Sequence, residues 1–152
     1  MSVYEGKTLV PQIAQAKADS ANLKIEFDQG LATQLPYADS SYDRVFSTLF
    51  FHHLGNNDKS RTFAEIFRVL KSGGQLHVAD WGRPTNFLMR LLFYAIQWLD
   101  GFTNTKDNVE GQIPHLIQYA GFSDIRICKQ FSTVFGTLTI YSGSKMGNHI
   151  SS

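Results

Sequence analysis

The sequence is almost free of cysteine, which limits the kinds of site that it can build. Cys128 is the single cysteine among 152 residues, so the chain can form neither an internal disulfide nor a cysteine-rich metal site. The lack of disulfides suits a reducing compartment, and we expect a cytoplasmic protein. Residues 1–6 contain neither a basic nor an apolar stretch, so we expect no secretory signal there.

An excess of charge of either sign is also missing. The chain carries 14 basic and 13 acidic residues, and the basic ones are scattered singly from Lys7 to Lys145. Nucleic-acid binding requires a clustered basic patch, so we expect no nucleic-acid partner. The hydrophobic fraction of 43% and the charged fraction of 18% are typical of a globular domain. We assign this domain to residues 1–143 and a polar tail to residues 144–152.

An apolar run long enough to cross a membrane is the third feature that is lacking. Residues 87–99, FLMRLLFYAIQWL, are interrupted only by Arg90 and Gln97, but a spanning helix requires about 20 apolar residues. We therefore predict no integral membrane segment and a buried helix at this position. A lid over an apolar substrate and a contact with a membrane surface are the alternatives.

What the sequence does contain is an alternation of strand and helix patterns. Period-two or continuous apolar patterns predict strands, and apolar residues at helical spacing predict helices. The strand patterns lie at 23–28, 43–50, 75–81, 125–131 and 138–141, and the helical patterns lie at 9–18, 57–70, 87–99 and 109–120. Strands that alternate with helices form a parallel sheet covered on both faces, so we predict an α/β fold.

Short polar and glycine-containing segments set the ends of these elements. Asn57 or Asp58 is expected to cap the second helix, and a glycine within residues 71–74 is expected to end it, as Gly121 ends the fourth. The last two strands are too close in sequence for a crossover helix, so they should form an antiparallel hairpin. We expect the polar chain from Ser142 onward to be frayed.

Seven short segments along the chain form an ordered set of motifs. They are IEFDQGLA at 25–32, LPY at 35–37, SYDRVFS at 41–47, FHHL at 51–54, EIFRVLKSGG at 65–74, VAD at 78–80 and YAGF at 119–122. Together they resemble the class I S-adenosylmethionine-dependent methyltransferases, and within them the small-molecule branch related to ubiquinone and menaquinone methyltransferases. The resemblance covers about residues 4–141. It implies a Rossmann-like sheet, mostly parallel with a C-terminal antiparallel hairpin, and S-adenosylmethionine as the cofactor.

The resemblance also implies where the adenine of the cofactor lies. The ring would lie beside the loop that begins at Gly30, where backbone N–H groups near Leu31 and Ala32 can bind it. Many relatives have an acidic residue at the position of Leu31, which accepts a hydrogen bond from the adenine amine. Leu31 cannot accept this bond, although it can pack on the face of the ring. The alternative for these three residues is an ordinary strand exit.

Two further parts of the cofactor are assigned by the same resemblance. Ser47 and Phe50 would lie beside its methionine part. Glu5 would bind the ribose hydroxyls, because an acidic residue ends the second strand of the family. The alternative for Glu5 is an exposed glutamate without a binding role.

Two adjacent histidines are the candidate catalytic residues. His52 and His53 follow the strand at 43–50, and ligands bind outside the carboxyl ends of parallel strands. One of them would lie at the substrate mouth as a general base or a hydrogen-bond partner. The alternative is that the pair caps the next helix or packs at the end of the sheet. Asp80 ends the next strand and could meet substrate, although a solvated carboxylate is more common there. No cysteine or carboxylate at ligand spacing accompanies the histidines, so we expect no metal site.

A glycine-rich loop of the form Gly-x-Gly-x-Gly, which the family uses to approach its cofactor, does not occur in the sequence. The one paired glycine, Gly73-Gly74, follows a helix. The resemblance implies that the first strand, this loop and the first helix of the family are lacking, and that the lacking strand belongs between those at 23–28 and 43–50. An unpaired sheet edge invites association. We therefore expect marginal stability, a homodimer, or a missing N-terminal partner segment.

The function implied by the resemblance is methyl transfer to a small-molecule acceptor. Such enzymes work chiefly by positioning and desolvating their reactants. The alternative is a non-catalytic remnant or an interaction module that no longer binds the cofactor productively. A nicotinamide-dependent Rossmann enzyme fits less well, because it too requires a glycine loop.

Overall fold

The computed structural model describes residues 2–4, 16–82, 112–133 and 136–147. The strands are β1 (Ser2–Tyr4), β2 (Phe27–Gln29), β3 (Tyr42–Thr48), β4 (Leu70–Gly82), β5 (Ser123–Thr133) and β6 (Gly136–Ser144). The helices are α1 (Asn56–Val69) and α2 (Ile113–Tyr119), with one turn of 3₁₀ helix at Phe51–His53 before α1. Residues 16–20 are also helical. The rest of the helix expected at 9–18, the helix expected at 87–99 and Glu5 lie outside the described residues.

The strands form two hydrogen-bonded sheets in this part of the chain. β1 pairs in parallel with β2 in one sheet, and the other has the order β3-β4-β6-β5. β3 and β4 are parallel, whereas β6 is antiparallel to both β4 and β5. The α/β fold, the parallel neighbours β3 and β4, and the terminal hairpin are thereby confirmed. Within the described residues β3 pairs with β4 alone, while a homodimer and an N-terminal partner segment stay predictions.

The hydrophobic core lies on one face of the four-stranded sheet, beneath α1 and α2. The rings of Phe51 and Phe63 stack in it with centroids 4.1 Å apart and an interplanar angle of 8°. Its other buried members are Ile66, Leu70, Leu76, Val78, Ile113, Ile117, Phe122 and Tyr141. Because Phe51 belongs to the 3₁₀ turn and Phe63 to α1, this stack fixes the turn against the helix that follows it.

β2 begins later than its strand pattern predicted. The helix that ends at Ser20 closes with a turn in which the N–H of Leu23 donates to the carbonyl of Ala18 over 2.9 Å. Asn22 adopts a positive φ of 56° in this turn. The chain is thus held against the helix end, so the regular strand begins only at Phe27 and the prediction was wrong for the first four residues.

α1 carries the predicted apolar stripe, but both of its ends differ from the prediction. Its N-cap is Gly55, which is extended and makes no side-chain hydrogen bond, so neither Asn57 nor Asp58 caps the helix. At the other end Leu70 is already extended and begins β4. The glycine with positive φ, Gly73 at 79°, therefore lies inside β4 and does not end the helix.

Lys145 closes the carboxyl end of α1. Its Nζ donates to the carbonyl oxygens of Phe67 at 2.8 Å and Leu70 at 2.7 Å, which satisfies acceptors that a helix end leaves unpaired. Its backbone pairs with the Gly73-Gly74 segment. The ordered chain therefore continues to Lys145, and the expectation of fraying from Ser142 was wrong for these four residues.

α2 is short and ends where the sequence predicted. It begins at Ile113 and has Pro114 in its first turn, where a missing N–H has no cost. Gly121 follows it with φ 101°, and a Cβ there would lie 3.1 Å from the ring of Phe67. Both the backbone conformation and the close approach therefore require glycine at the end of this helix.

Glu65 and Arg68 join α1 to the loop between β2 and β3. Their spacing on a helix predicted a side-chain pair, and the Arg68 Nε donates to Glu65 Oε1 over 2.9 Å. Glu65 Oε2 also accepts from the backbone N–H of Leu35 over 2.8 Å. Chiefly through the hydrogen bond from Arg68, and further through that N–H, the pKa of Glu65 is lowered from its ordinary value of 4.5, although burial opposes the shift.

The lowered pKa predicts an acid-sensitive contribution to stability. Because the folded pKa lies below the unfolded one, Glu65 contributes its full stabilisation above the unfolded pKa and loses it as the pH falls through the folded pKa. We expect the difference in unfolding free energy between the wild type and Glu65→Gln, measured in urea, to be largest at about pH 6 and to shrink below about pH 4. In an Arg68→Ala background most of this pH dependence should be lost, because only the N–H of Leu35 still favours the ionised carboxylate. An undiminished pH dependence there would mean that another group causes it.

Candidate functional site

The carboxyl ends of β3 and β4 lie side by side and hold most of the candidate residues. The register pairs Ser47 with Val78 and Thr48 with Ala79, so the residues that follow β3 lie next to the end of β4. The N–H of Leu49 donates to the carbonyl of Ala79 over 2.8 Å. Parallel pairing thus places the 3₁₀ turn with its two histidines at the edge where ligands bind in α/β sheets.

Asp80 is the centre of this edge, and its side chain is fully buried. Its Oδ2 accepts hydrogen bonds from the N–H groups of Phe51 at 2.6 Å and His52 at 3.3 Å. Its Oδ1 accepts from the N–H of Trp81 and pairs with His52 Nδ1, each at 2.8 Å. A buried carboxylate is costly unless it is hydrogen bonded, and here each oxygen has two nitrogen partners.

The two histidines differ in their surroundings. The His52 side chain is 17% exposed and is held by Asp80 through Nδ1, which leaves its Nε2 for other contacts. His53 is exposed, and its ring centroid lies 3.8 Å from that of His52 with a tilt of 44°. The helix α1 begins after Gly55 without a side-chain cap, so the alternative in which the histidines cap this helix is wrong.

Ser47 and Phe50 flank the turn on its β3 side. Ser47 is half-buried near the end of the strand, and Phe50 is half-buried with its ring edge-on to Phe51 at 5.7 Å. Between them Leu49 has a positive φ of 51°, an uncommon conformation for a residue with a side chain. The chain therefore turns sharply out of the sheet here, before it enters the 3₁₀ turn.

The exit of β2 belongs to the other sheet and forms a tight turn. Leu31 and Gln34 form a bridge, with the N–H of Gln34 donating to the carbonyl of Leu31 over 3.0 Å. Leu31 is 54% exposed, whereas Ala32 and Gly30 are half-buried. A Cβ on Gly30 would meet Pro36 at an ordinary 3.6 Å, so packing alone does not require glycine at this position.

Tyr37 links the loop after β2 to the start of β3. Its hydroxyl donates to Asp28 Oδ2 over 2.9 Å, and its ring lies edge-on to that of Tyr42 at 5.2 Å. Burial of the ring and the adjacent Asp28 carboxylate raise the pKa of Tyr37. The tyrosine therefore stays protonated and donates a hydrogen bond to β2 while its ring contacts Tyr42 at the start of β3.

Neither a metal centre nor a membrane helix occurs in the part of the chain that the structure describes. No group of three or more histidine, cysteine or carboxylate side chains could hold a metal ion there. The helices among the same residues are too short or too polar to cross a membrane.

Sequence comparison finds a similarity to a known family. The family described as Methyltransferase domain matches residues 6–78. The demethylmenaquinone methyltransferase of Deinococcus radiodurans is 35% identical over 91 residues, which are 58% of this chain and 37% of that protein. These matches support a class I S-adenosylmethionine-dependent methyltransferase.

Other relatives match more of the length of this chain. The uncharacterized protein YafE of Escherichia coli is 32% identical over 109 residues, which are 71% of this chain and 51% of that protein. The chain thus spans about a third to a half of the length of these curated relatives. A crystal structure of a SAM-dependent methyltransferase from Methanosarcina mazei superposes with a TM-score of 0.71 over 92% of this chain and 79% of that one, at 23% identity. This last similarity shows that the fold is shared.

Asp80 was named from the sequence as a residue that could meet substrate, but its burial and its pairing with His52 were not predicted. We expected a solvated carboxylate, but the side chain is fully buried because the backbone of the 3₁₀ turn and His52 enclose it. A signal was present in the sequence, since Leu76, Val78 and Asp80 alternate on one face of β4. All three are buried, and the period of two in a strand places alternate side chains on the same face.

Two of the residues assigned to the cofactor offer chemical groups that suit those assignments. Leu31 offers an exposed apolar side chain at the exit of β2, and a purine ring can pack on such a surface. Ser47 offers a half-buried hydroxyl near the exit of β3.

Proposed function

We propose that this chain binds S-adenosylmethionine and takes part in methyl transfer to a small-molecule acceptor. The proposal rests on one observation above all, the pairing of the buried Asp80 carboxylate with His52 at the adjoining ends of β3 and β4. In a methyltransferase, a histidine held in this way can act as a general base and accept a proton from the acceptor during methyl transfer. The demethylmenaquinone methyltransferases among its relatives support a small organic acceptor.

The proposed cofactor contacts follow the strand exits. Gly30, Leu31 and Ala32 are assigned to the adenine, and Ser47 with Phe50 to the methionine part. Glu5, which lies outside the described residues, stays our prediction for the ribose. When bound, the cofactor supplies an electrophilic methyl group on a sulfonium sulfur.

In such a transfer the protein positions the reactants and desolvates them. Phe50 and the exposed Leu49 present apolar surface beside the turn, which excludes water from the reacting atoms. His52, and His53 as the second candidate, lie where an acceptor would approach. Because orientation accounts for much of such a rate, the hydrogen bonds that fix the 3₁₀ turn to Asp80 are part of the proposed mechanism.

Binding of the cofactor is the first test. We expect calorimetric titration of the chain with S-adenosylmethionine to show micromolar affinity. Leu31→Asp should strengthen it by about tenfold, because a carboxylate there can accept from the adenine amine and a hydrogen bond to a charged group contributes about 1.5–3 kcal/mol. The matched control is Leu23→Asp, since Leu23 is an equally exposed leucine at 57% compared with 54% for Leu31.

The outcomes separate the proposal from its alternative. Stronger binding by Leu31→Asp with unchanged binding by Leu23→Asp supports the adenine contact at the exit of β2. An absence of heat for the wild type and for Leu31→Asp contradicts the proposed function and favours a non-catalytic remnant or interaction module. An equal gain in both variants would mean that added negative charge, and not this site, changes the affinity.

A further inference from the structure

The hydrogen bonds of Asp80 determine which nitrogen of His52 carries the proton. Three backbone N–H groups, those of Phe51, His52 and Trp81, donate to its two oxygens. A carboxylate with these donors on both oxygens acts as an acceptor toward His52 Nδ1, which lies 2.8 Å from Oδ1. His52 Nδ1 therefore carries hydrogen, and the neutral ring keeps its lone pair on Nε2.

This tautomer makes His52 a proton acceptor for a substrate. The ring is held through Nδ1, while its 17% exposure leaves an accessible edge. A buried carboxylate that orients a histidine also stabilises the imidazolium that forms when Nε2 takes a proton. Asp80 is then a positioning residue, and His52 is the group that touches the acceptor.

The need for a base indicates the class of acceptor. A neutral amine attacks with its own lone pair before it loses a proton, whereas a hydroxyl oxygen becomes a strong nucleophile only as its proton leaves. Imidazole is about 3.5 pK units less basic than a phenolate. With this difference, a histidine in a site that excludes water can still accept the proton of a phenol during methyl transfer. For an aliphatic alcohol the gap is far larger, so an oriented histidine favours acidic hydroxyl groups of phenols and enols.

We propose that Asp80 and His52 form a dyad that serves the methylation of a phenolic or enolic hydroxyl. The inference rests on the proposed methyl transfer. In this step the acceptor oxygen forms a bond to the methyl carbon as the carbon–sulfur bond breaks, and the bonding pair leaves on sulfur. The hydroxyl proton moves to His52 Nε2, and the Nδ1–H stays hydrogen bonded to Asp80 until solvent removes the added proton.

The tautomer is tested without any cofactor. Long-range proton–nitrogen NMR spectra of the whole chain, recorded at the alkaline end of a pH series where the His52 signals no longer change, should show the Nδ1–H form. These signals are assigned by their loss in His52→Gln. In Asp80→Asn the amide oxygen is expected to accept from the N–H groups of Phe51 and His52, as Oδ2 does in the wild type. The amide NH₂ then faces His52 Nδ1 and donates to it. Nε2 then carries the hydrogen, and the spectrum should change to that tautomer.

The acceptor class is tested with three probes: catechol, benzyl alcohol and benzylamine, each with radiolabelled S-adenosylmethionine. We expect transfer to catechol in preference to the other two. Asp80→Asn and His52→Gln should lower kcat for catechol by about 10²–10⁴-fold, with a much smaller change in KM. The control is His115→Gln, because His115 is an exposed histidine on α2 and its replacement should leave the rate unchanged.

Different results overturn the inference and the proposed function. An Nε2–H tautomer in the wild type, or benzylamine as the preferred acceptor, overturns the dyad while methyl transfer itself stands. A loss in kcat for His53→Gln that exceeds the loss for His52→Gln also overturns it. An absence of cofactor binding in calorimetry contradicts the proposed function, whereas the tautomer of His52 is still measurable.

Discussion

Replacing Phe63 by alanine is expected to lower the free energy of unfolding by about 3–5 kcal/mol. The side chain is fully buried, and its ring stacks on that of Phe51 with centroids 4.1 Å apart. Alanine would leave a cavity between α1 and the 3₁₀ turn, and surrounding side chains fill such cavities only in part. Because domains are stable by only about 5–15 kcal/mol, urea unfolding followed by circular dichroism should show a much lower midpoint or no folded baseline.

Two further variants make this result interpretable. Phe63→Leu retains most of the volume and should cost about 1.5 kcal/mol or less, which keeps the transition measurable if the alanine variant does not fold. Phe46→Ala is the matched control, because that phenylalanine is 66% exposed and stacks only on His77 in the structure described. A loss for Phe46→Ala as large as that for Phe63→Ala would contradict the assignment of the core to the α1 face of the sheet.

The local sequence predicted the sheet better than it predicted the ends of its elements. Apolar patterns located β3, β4 and the terminal hairpin because burial on a sheet imposes its period on the sequence. The start of β2 and the cap of α1 depend on hydrogen bonds between backbone groups. Leu23, for example, fits the alternating apolar pattern of a strand, but its N–H donates to the carbonyl of Ala18 at the end of a helix. A pattern of side chains cannot predict this backbone hydrogen bond.

In the candidate site, too, the local sequence predicted some features, whereas features that depend on tertiary contacts were not predicted. His52 was identified from its place after a predicted strand, which is a property of the local sequence. The partner of His52 was not identified, because Asp80 lies 28 residues away and is joined to it by parallel pairing of β3 and β4. Residues that meet through tertiary pairing have no fixed spacing, so the dyad became apparent only when the register of the two strands was known.

Arg68 also acts through contacts that its helical spacing does not reveal. Besides its pair with Glu65, it donates from Nη1 to the carbonyl of Tyr37 at 2.8 Å and from Nη2 to that of Leu35 at 3.0 Å. Nη1 also bonds Asp39 Oδ1 at 2.6 Å. One guanidinium therefore anchors the loop that leads from the proposed adenine contact to β3, and its planar set of donors matches these acceptors in a way that an ammonium cannot.

Arg68→Ala is accordingly expected to lower the free energy of unfolding by about 2–3 kcal/mol. The loss stays below that for a fully buried ion pair, because the side chain is 31% exposed and solvent screens such pairs. Arg68→Lys should recover less than half of it, since one ammonium cannot reach the carboxylate of Glu65 and both loop carbonyls.

Arg61→Ala is the control for helix propensity and net charge. Arg61 lies exposed on the same helix, and its replacement should change stability by no more than about 0.5 kcal/mol. Hydrogen exchange should then show faster exchange in the loop at 35–39 for Arg68→Ala, and unchanged exchange for Arg61→Ala. If Arg68→Ala destabilises the chain without faster exchange in that loop, the arginine stabilises α1 itself, and the loop beside the proposed cofactor site is held by other contacts.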